Sequence, residues 1–209
     1  MYDDIVLVPR SAFFGLLRDI GSGEGLTVRD RDGLGLATVI SRKGQRHALA
    51  EKVLSAFALE LPTGPRRVSA VNLAFAGTAP GTWLASHELD AGYAGELRAR
   101  LAGLASVSDQ SGGMAILRLS GPKVRDVLAK GAPIDLHASA FRIGDVAATV
   151  CSHLSVTIWR LEDEADLSPA YELAIFRSLA GSLWSWLAEA AAEFGIAVKG
   201  CHGSEVRRG

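Results

Sequence analysis

The sequence predicts an α+β protein with antiparallel-rich sheets and packed helices, and three observations carry that expectation. Apolar, β-branched runs come in neighbouring groups along the chain. Helical periodicity returns after pairs of strands rather than after every strand, which argues for two split β-α-β (ferredoxin-like) halves and against a doubly wound parallel sheet. The 209 residues are 48% apolar and 22% charged, the composition of an ordinary globular chain able to bury a core.

Taken in order, residues 1–33 hold Gly21, Gly23, Gly25 and Gly33 among mixed charges and are expected to form an irregular N-terminal arm with a short helix around residues 13–18. Residues 34–40 (LGLATVI) read as a strand. From Gly44 the pattern turns helical, with Leu49, Val53 and Phe57 at spacings of four, and the helix ends before Pro62. A strand over residues 69–76, a turn over 77–81 and a strand over 82–87 follow. Tyr93, Leu97, Leu101 and Leu104 then make the apolar stripe of a second helix. The order begins again with a strand over 114–119 and a short helix bearing Val124, Val127 and Leu128, a weak echo of the first half. Strands over 145–151, 155–161 and 171–176 lead to a long helix over 178–194. The expected division is therefore an arm (1–33), a first α+β half (34–106), a second (107–199) and a flexible tail (200–209).

Charge excludes one class of partner. Twenty-two Lys and Arg against 23 Asp and Glu, with no basic block, lack the footprint of a nucleic-acid binder. No membrane span is expected, because the most apolar stretch, 179–198, is broken by Glu189 and Glu193. The opening MYDDIVLVPR has acids where a secretory leader needs bases, and Cys151 and Cys201 are too few for a disulfide framework, so a cytoplasmic, reducing setting is expected.

Chemical motifs are few. The run Gly21-Ser22-Gly23-Glu24-Gly25 precedes a β-type segment, not a helix, and reads as a flexible turn rather than a phosphate cradle. Ser120 and Lys123 have the S-x-x-K spacing of an activated serine, yet Ser120 at a strand-to-helix junction reads more simply as a helix cap. The histidines at 47, 87, 137, 153 and 202 form no metal pair, and a zinc set of Cys151, His153, Cys201 and His202 requires the tail to fold back. Glu162, Asp163, Glu164 and Asp166 read as a solvated loop. No catalytic, cofactor-binding or metal-binding residue is assigned.

The final helix is more informative. Leu179, Leu183, Trp186, Leu187, Ala190 and Phe194 lie within one stripe of about 100°, expected to cover the sheet. Gly181, Ser185, Ala188 and Ala192 lie opposite, flanked by Trp184. That small-residue face is expected either to pack inside this chain or to dock on another subunit.

A family resemblance enters through the second half. Asp109-Gln110-Ser111, Arg118-Leu119-Ser120-Gly121-Pro122, the run from Leu128 to His137, Phe141, Thr149, His153, Trp159-Arg160, Glu172-Leu173, Arg177-Ser178, Trp184-Ser185-Trp186-Leu187 and Ala191 to Gly195 resemble the gamma subunits of heterotetrameric sarcosine oxidases. The match is looser through residues 35–41, Lys43-Gly44-Gln45, Leu61-Pro62 and Pro80 to Leu84. The resemblance implies a fold like that of the folate-binding aminomethyltransferases and a place beside alpha, beta and delta subunits. The implied assembly converts sarcosine to glycine with hydrogen peroxide and methylenetetrahydrofolate. It also implies FAD, FMN and NAD on the alpha and beta chains and zinc on delta, with no cofactor bound by the gamma chain. The other reading is a free-standing folate-binding or aminomethyl-transfer module. Such a module needs a carboxylate for the pterin and an arginine for the glutamate tail, for which Glu172 and Arg177 are the candidate pair.

Overall fold

Two antiparallel-rich sheets pack face to face, each backed by helices on its outer side, giving a helix–sheet–sheet–helix stack. The computed structural model describes residues 10–90 and 92–199. The first half supplies β2 (Gly35–Ser41), α1 (Arg46–Phe57), β3 (Arg67–Ala70), β4 (Leu73–Ala79), β5 (Thr82–His87), α2 (Tyr93–Arg100) and β6 (Ala105–Asp109), joined in the order β3-β4-β5-β2-β6. The second supplies β7 (Met114–Ser120), α3 (Val124–Ala129), β8 (Val146–Cys151), β9 (Leu154–Arg160), β10 (Ala170–Phe176), α4 (Ala180–Ala190) and β11 (Ile196–Val198). Its order is β11-β1-β7-β10-β9-β8, where β1 (Leu26–Asp30) comes from the N-terminal arm. The two halves thus repeat one topology of strand, helix, three-strand meander, helix and strand. The faint echo between residues 37–54 and 115–131 falls on β2–α1 and β7–α3, the first two elements of each repeat.

Strand alternation builds three cores. Because successive side chains face opposite ways, Ala115, Leu117 and Leu119 of β7 and Tyr171, Leu173 and Ile175 of β10 meet α3 and α4 on the outer side. Val39, Phe75 and Trp83 likewise meet Leu49 and Val53 of α1 and Leu97 of α2. The intervening residues Leu36, Ala76, Leu84, Ile116, Val146, Trp159 and Ala174 meet between the sheets. Burial on both faces explains why strands such as LAFA and MAIL read as continuous apolar runs rather than as alternation.

Several expectations need correction. The arm is not wholly irregular: β1 pairs antiparallel with β7 and parallel with β11, and Leu26 and Val28 are fully buried. The single strand expected over 69–76 is two, β3 and β4, hinged at Val71 and Asn72, with Val71 at φ 38. The helix expected to run through Leu104 stops at Arg100, and the residues after its turn form β6. The last helix is preceded by one 3-10 turn (Arg177–Leu179) and ends at Ala190. Ser120 does not cap α3, whose N-cap is Lys123 with no side-chain cap bond. The turn over residues 21–25 is a seat rather than a free hinge: the Gly25 amide donates to the Phe194 carbonyl at 3.1 Å, and a Cβ on Gly25 would lie 2.7 Å from that oxygen. The tail expected to be flexible lies outside the described residues.

Candidate functional site

The inner face of the larger sheet carries charge where the apolar inter-sheet core runs out. Arg29 of β1 stands opposite Arg118 of β7, which stands opposite Glu172 of β10, which stands opposite Trp159 of β9, so four residues make one row across four strands. The same alternation that sends Leu117 and Leu173 to the helices turns Arg118 and Glu172 toward the other sheet. That sheet answers with Arg67 and Ser69 of β3 and Glu88 just after β5. Together with Arg31 and Arg160 these residues line a cleft of about 400 Å³.

Glu172 is the anchor of this cleft. Its side chain is buried, and both oxygens are taken: Arg31 Nε donates to Oε1 at 2.8 Å and Trp159 Nε1 donates to Oε2 at 2.9 Å. Arg31 Nη2 also meets both oxygens of Glu88 at 2.6 Å, so one guanidinium clamps a carboxylate from each sheet. Burial alone lowers the Arg31 pKa, and the Glu172 and Glu88 carboxylates more than offset that, leaving it raised. Arg118 pairs with Glu164 at 3.0 Å, buried Arg160 pairs with Asp163, and Arg66 pairs with Asp145 at the seam where the sheets meet. There the Arg67 amide donates to the Gly144 carbonyl at 2.6 Å, and the Val146 amide donates to the Pro65 carbonyl at 2.9 Å. The acidic run after β9 is therefore not a purely solvated loop, because two of its carboxylates hold arginines of the cleft.

The candidate folate pair is not assembled. Glu172 lines this cleft with no free oxygen. Arg177 sits beyond the far end of β10, about 16 Å away at the rise of an extended strand, where it bonds the Arg10 carbonyl and lines a separate small cavity beside Asp30. On α4, Gly181 and Ala188 are half-buried and Ser185 exposed, while Ala192, just past its end, is exposed. Trp184, expected at that face's edge, is buried in the chain's own core, and it is Trp186 that is half-buried, packed beside Gly131. The buried stripe of α4 runs through Ala180, Leu183, Trp184, Leu187 and Ala190, about 50° round the helix from the expected one at 100° per residue.

Cys151 is buried in the outer core, and burial pushes its thiol up to about 12. Exposed His153 occupies the β8–β9 hairpin turn with Ser152, both at positive φ. Cys201 and His202 lie outside the described residues. Among the described residues no group of three or more His, Cys, Asp or Glu is placed to hold a metal ion, and no helix is long and apolar enough to cross a membrane. Sequence reasoning missed Arg31, Arg67, Arg118 and Arg160. The available signal was a charge inside runs otherwise apolar on both faces, as in MAILRLS and TIWR.

Paired, helix-backed sheets with a polar inter-sheet cleft place the chain in the aminomethyltransferase class of folds. The glycine cleavage system aminomethyltransferase T of Bartonella henselae superposes with TM-score 0.58 at 18% identity, covering 84% of this chain and 48% of that one. The chain belongs to the sarcosine oxidase gamma subunit family, whose profile matches residues 43–193. It is 38% identical to a sarcosine oxidase subunit gamma from an Arthrobacter species and 34% identical to one from Corynebacterium sp. (strain P-1), each over 118 residues. The aligned segment covers 53% of this chain and 58% of either relative, so the chain spans less than two thirds of the curated relatives it matches. A chain of the heterotetrameric sarcosine oxidase from Corynebacterium sp. U-96, solved with pyrrole 2-carboxylate, superposes with TM-score 0.77 at 22% identity, covering 89% of this chain and 96% of that one.

Proposed function

We propose that this chain is the structural, non-catalytic gamma subunit of a heterotetrameric sarcosine oxidase, assembled with alpha, beta and delta subunits in the cytoplasm. The assembly removes the methyl group of sarcosine oxidatively, yielding glycine and hydrogen peroxide, with tetrahydrofolate collecting the carbon as methylenetetrahydrofolate. FAD, FMN, NAD and zinc belong in this reading to the partner chains. The observation that carries it is the family match over residues 43–193. The engagement of Glu172 by Arg31 and Trp159 supports a role in holding the sheets together rather than in binding a pterin. The row of α4 formed by half-buried Gly181 and Ala188 and exposed Ser185, with exposed Ala192 beyond it, is the proposed docking face. Trp184 is withdrawn from it because its own core takes the indole.

Co-expression of this chain, tagged, with the three partner reading frames is expected to yield one four-chain complex with sarcosine-dependent peroxide production, while the chain purified alone is colourless and inactive. Elution of the tagged chain alone in the presence of all three partners overturns the assignment. Calorimetric titration of the lone chain with tetrahydrofolate separates the other reading. A dissociation constant at or below about 10 μM, worth about −7 kcal/mol, makes the chain a folate-binding module instead.

A further inference from the structure

Of the five guanidinium groups lining the inter-sheet cleft, Arg31, Arg66, Arg118 and Arg160 each hold a carboxylate, and Arg67 holds none. Strand alternation fixes where Arg67 points. Val68 joins the core under the helices, so Arg67 and Ser69 face the cleft. Its backbone is fixed twice, by pairing with Ala76 of β4 and by the amide bond to Gly144 across the seam. Among the described residues no hydrogen bond or ion pair reaches its side chain. Burial lowers its pKa, Glu172 and Glu88 oppose that, and the neighbouring Arg31 and Arg118 charges add to it. The nearest acids cannot turn to it, because Glu88 spends both oxygens on Arg31 and Glu172 divides its pair between Arg31 and Trp159. Half-buried and with no fully buried nitrogen, the guanidinium keeps contact with water in the cleft, which a ligand of matching shape can replace.

We propose that Arg67 is the receptor for a carboxylate that this chain does not itself supply. The planar fork of a guanidinium matches a carboxylate through two parallel hydrogen bonds. Charge favours the smallest anion: the five cleft arginines already face six carboxylates, from Glu88, Asp145, Glu162, Asp163, Glu164 and Glu172, so the field is not positive overall and an anion is held by the Arg67 fork alone. A phosphate dianion or a nucleotide would bring further negative charge with no second uncommitted guanidinium among the described residues of the cleft to meet it. The cleft volume suits a small acid, at the lower end of the range for small-molecule sites. The same carboxylate chemistry has two sources, a free small acid or an acidic side chain of a neighbouring subunit. The proposal stands apart from the subunit assignment, since its first arm uses this chain alone.

The probe is acetate, titrated into the full-length chain at constant ionic strength with chloride as the balancing salt, read from the arginine Nε–H signals in a nitrogen-proton NMR correlation. One arginine signal is expected to move and saturate at millimolar acetate. Arg67→Gln should lose that signal and weaken any remaining acetate effect at least tenfold, and Arg67→Lys, which keeps charge without the fork, should fall between. Neither variant should lower the melting temperature, since no internal bond is removed. Repeating the titration on the four-chain complex separates the sources: retained binding marks a free acid, and binding abolished on assembly marks a partner's carboxylate. The proposal fails if chloride and acetate act alike, if Arg67→Gln leaves the response unchanged, or if Arg67→Gln unfolds the chain.

Discussion

Glu172 shows how one buried charge can hold two sheets in place. Its carboxylate is out of water yet fully engaged, and removing it leaves the Trp159 indole N–H without an acceptor and Arg31 with Glu88 alone. Breaking a buried ion pair from one side costs about 3–5 kcal/mol. Arg31 keeps one partner and some exposure, so Glu172→Ala is expected near the lower figure, about 3 kcal/mol, in urea unfolding. Glu172→Gln, which preserves an acceptor for the indole, should cost less. Equal losses for the two variants would mean that the charge carries the whole contribution and that the acceptor kept for the indole adds nothing. The sequence offers Glu172 only as a candidate pterin ligand for the alternative, folate-binding reading, because nothing in a linear pattern shows that Arg31, 141 positions away, takes its oxygen.

At the scale of elements, what the sequence made legible and what it hid divide along one physical line. Elements that carry their own signal were readable: α1 through Leu49 and Val53, β5 through its apolar run, the β7–α3 unit through its break at Gly121-Pro122. Elements that exist only because a partner pairs with them were not. The five residues of β1 (LTVRD), legible only as a β-type segment inside an arm expected to be irregular, are held between β11 and β7, and the three of β11 (IAV), too short for periodicity, pair with β1 at the edge of the sheet. Their junction depends on close backbone approach at Gly25, where a Cβ meets both the Phe194 oxygen and the Phe194 Cβ at 2.7 Å. Gly25→Ala is therefore expected to cost about 1–3 kcal/mol as strand and helix end move apart. Gly64→Ala, where a Cβ meets nothing within 4 Å, should be neutral or slightly stabilising. Thermal melts of the two variants side by side check the seat, and equal melting temperatures would dissolve it.

The same scale sets the test of α4. Trp184 packs in the chain's own core, so Trp184→Ala should cost about 3–5 kcal/mol of folding stability in the isolated chain. Ala188 is half-buried at the margin of the core that holds Leu183 and Leu187, where a longer side chain can still reach solvent, so Ala188→Glu should leave the melting temperature within a few degrees while reducing recovery of the partner chains on a tagged column. Undiminished recovery with Ala188→Glu moves the docking face off this helix.

At the scale of the whole molecule the question is whether two repeats behave as one folding unit. Each contributes a group that the fold keeps protonated: the Cys151 thiol in the outer core of the larger sheet and the Tyr93 phenol of α2 over the smaller one, both pushed up to about 12, chiefly by burial. In the unfolded chain these groups ionise near about 8.5 and about 10. Above those values the unfolded chain binds fewer protons than the native one, so stability must fall as pH rises toward 12. Each group contributes a slope of at most about 1.4 kcal/mol per pH unit, Cys151 first and Tyr93 joining it above pH 10. Replacing Cys151 with Ala should flatten the decline between about pH 8.5 and 10 and leave above pH 10 only the slope that Tyr93 contributes. The inter-sheet core, in which Leu36, Leu84, Ile116 and Trp159 meet, ties the two sheets together, so both losses should act on a single transition. Urea unfolding at pH 8 to 11, followed by tryptophan fluorescence and far-ultraviolet circular dichroism, should give coincident midpoints that fall together. A midpoint that splits, with the Cys151 replacement protecting only one of the two transitions, would show that the sheets unfold separately and that the apolar seam does not couple them.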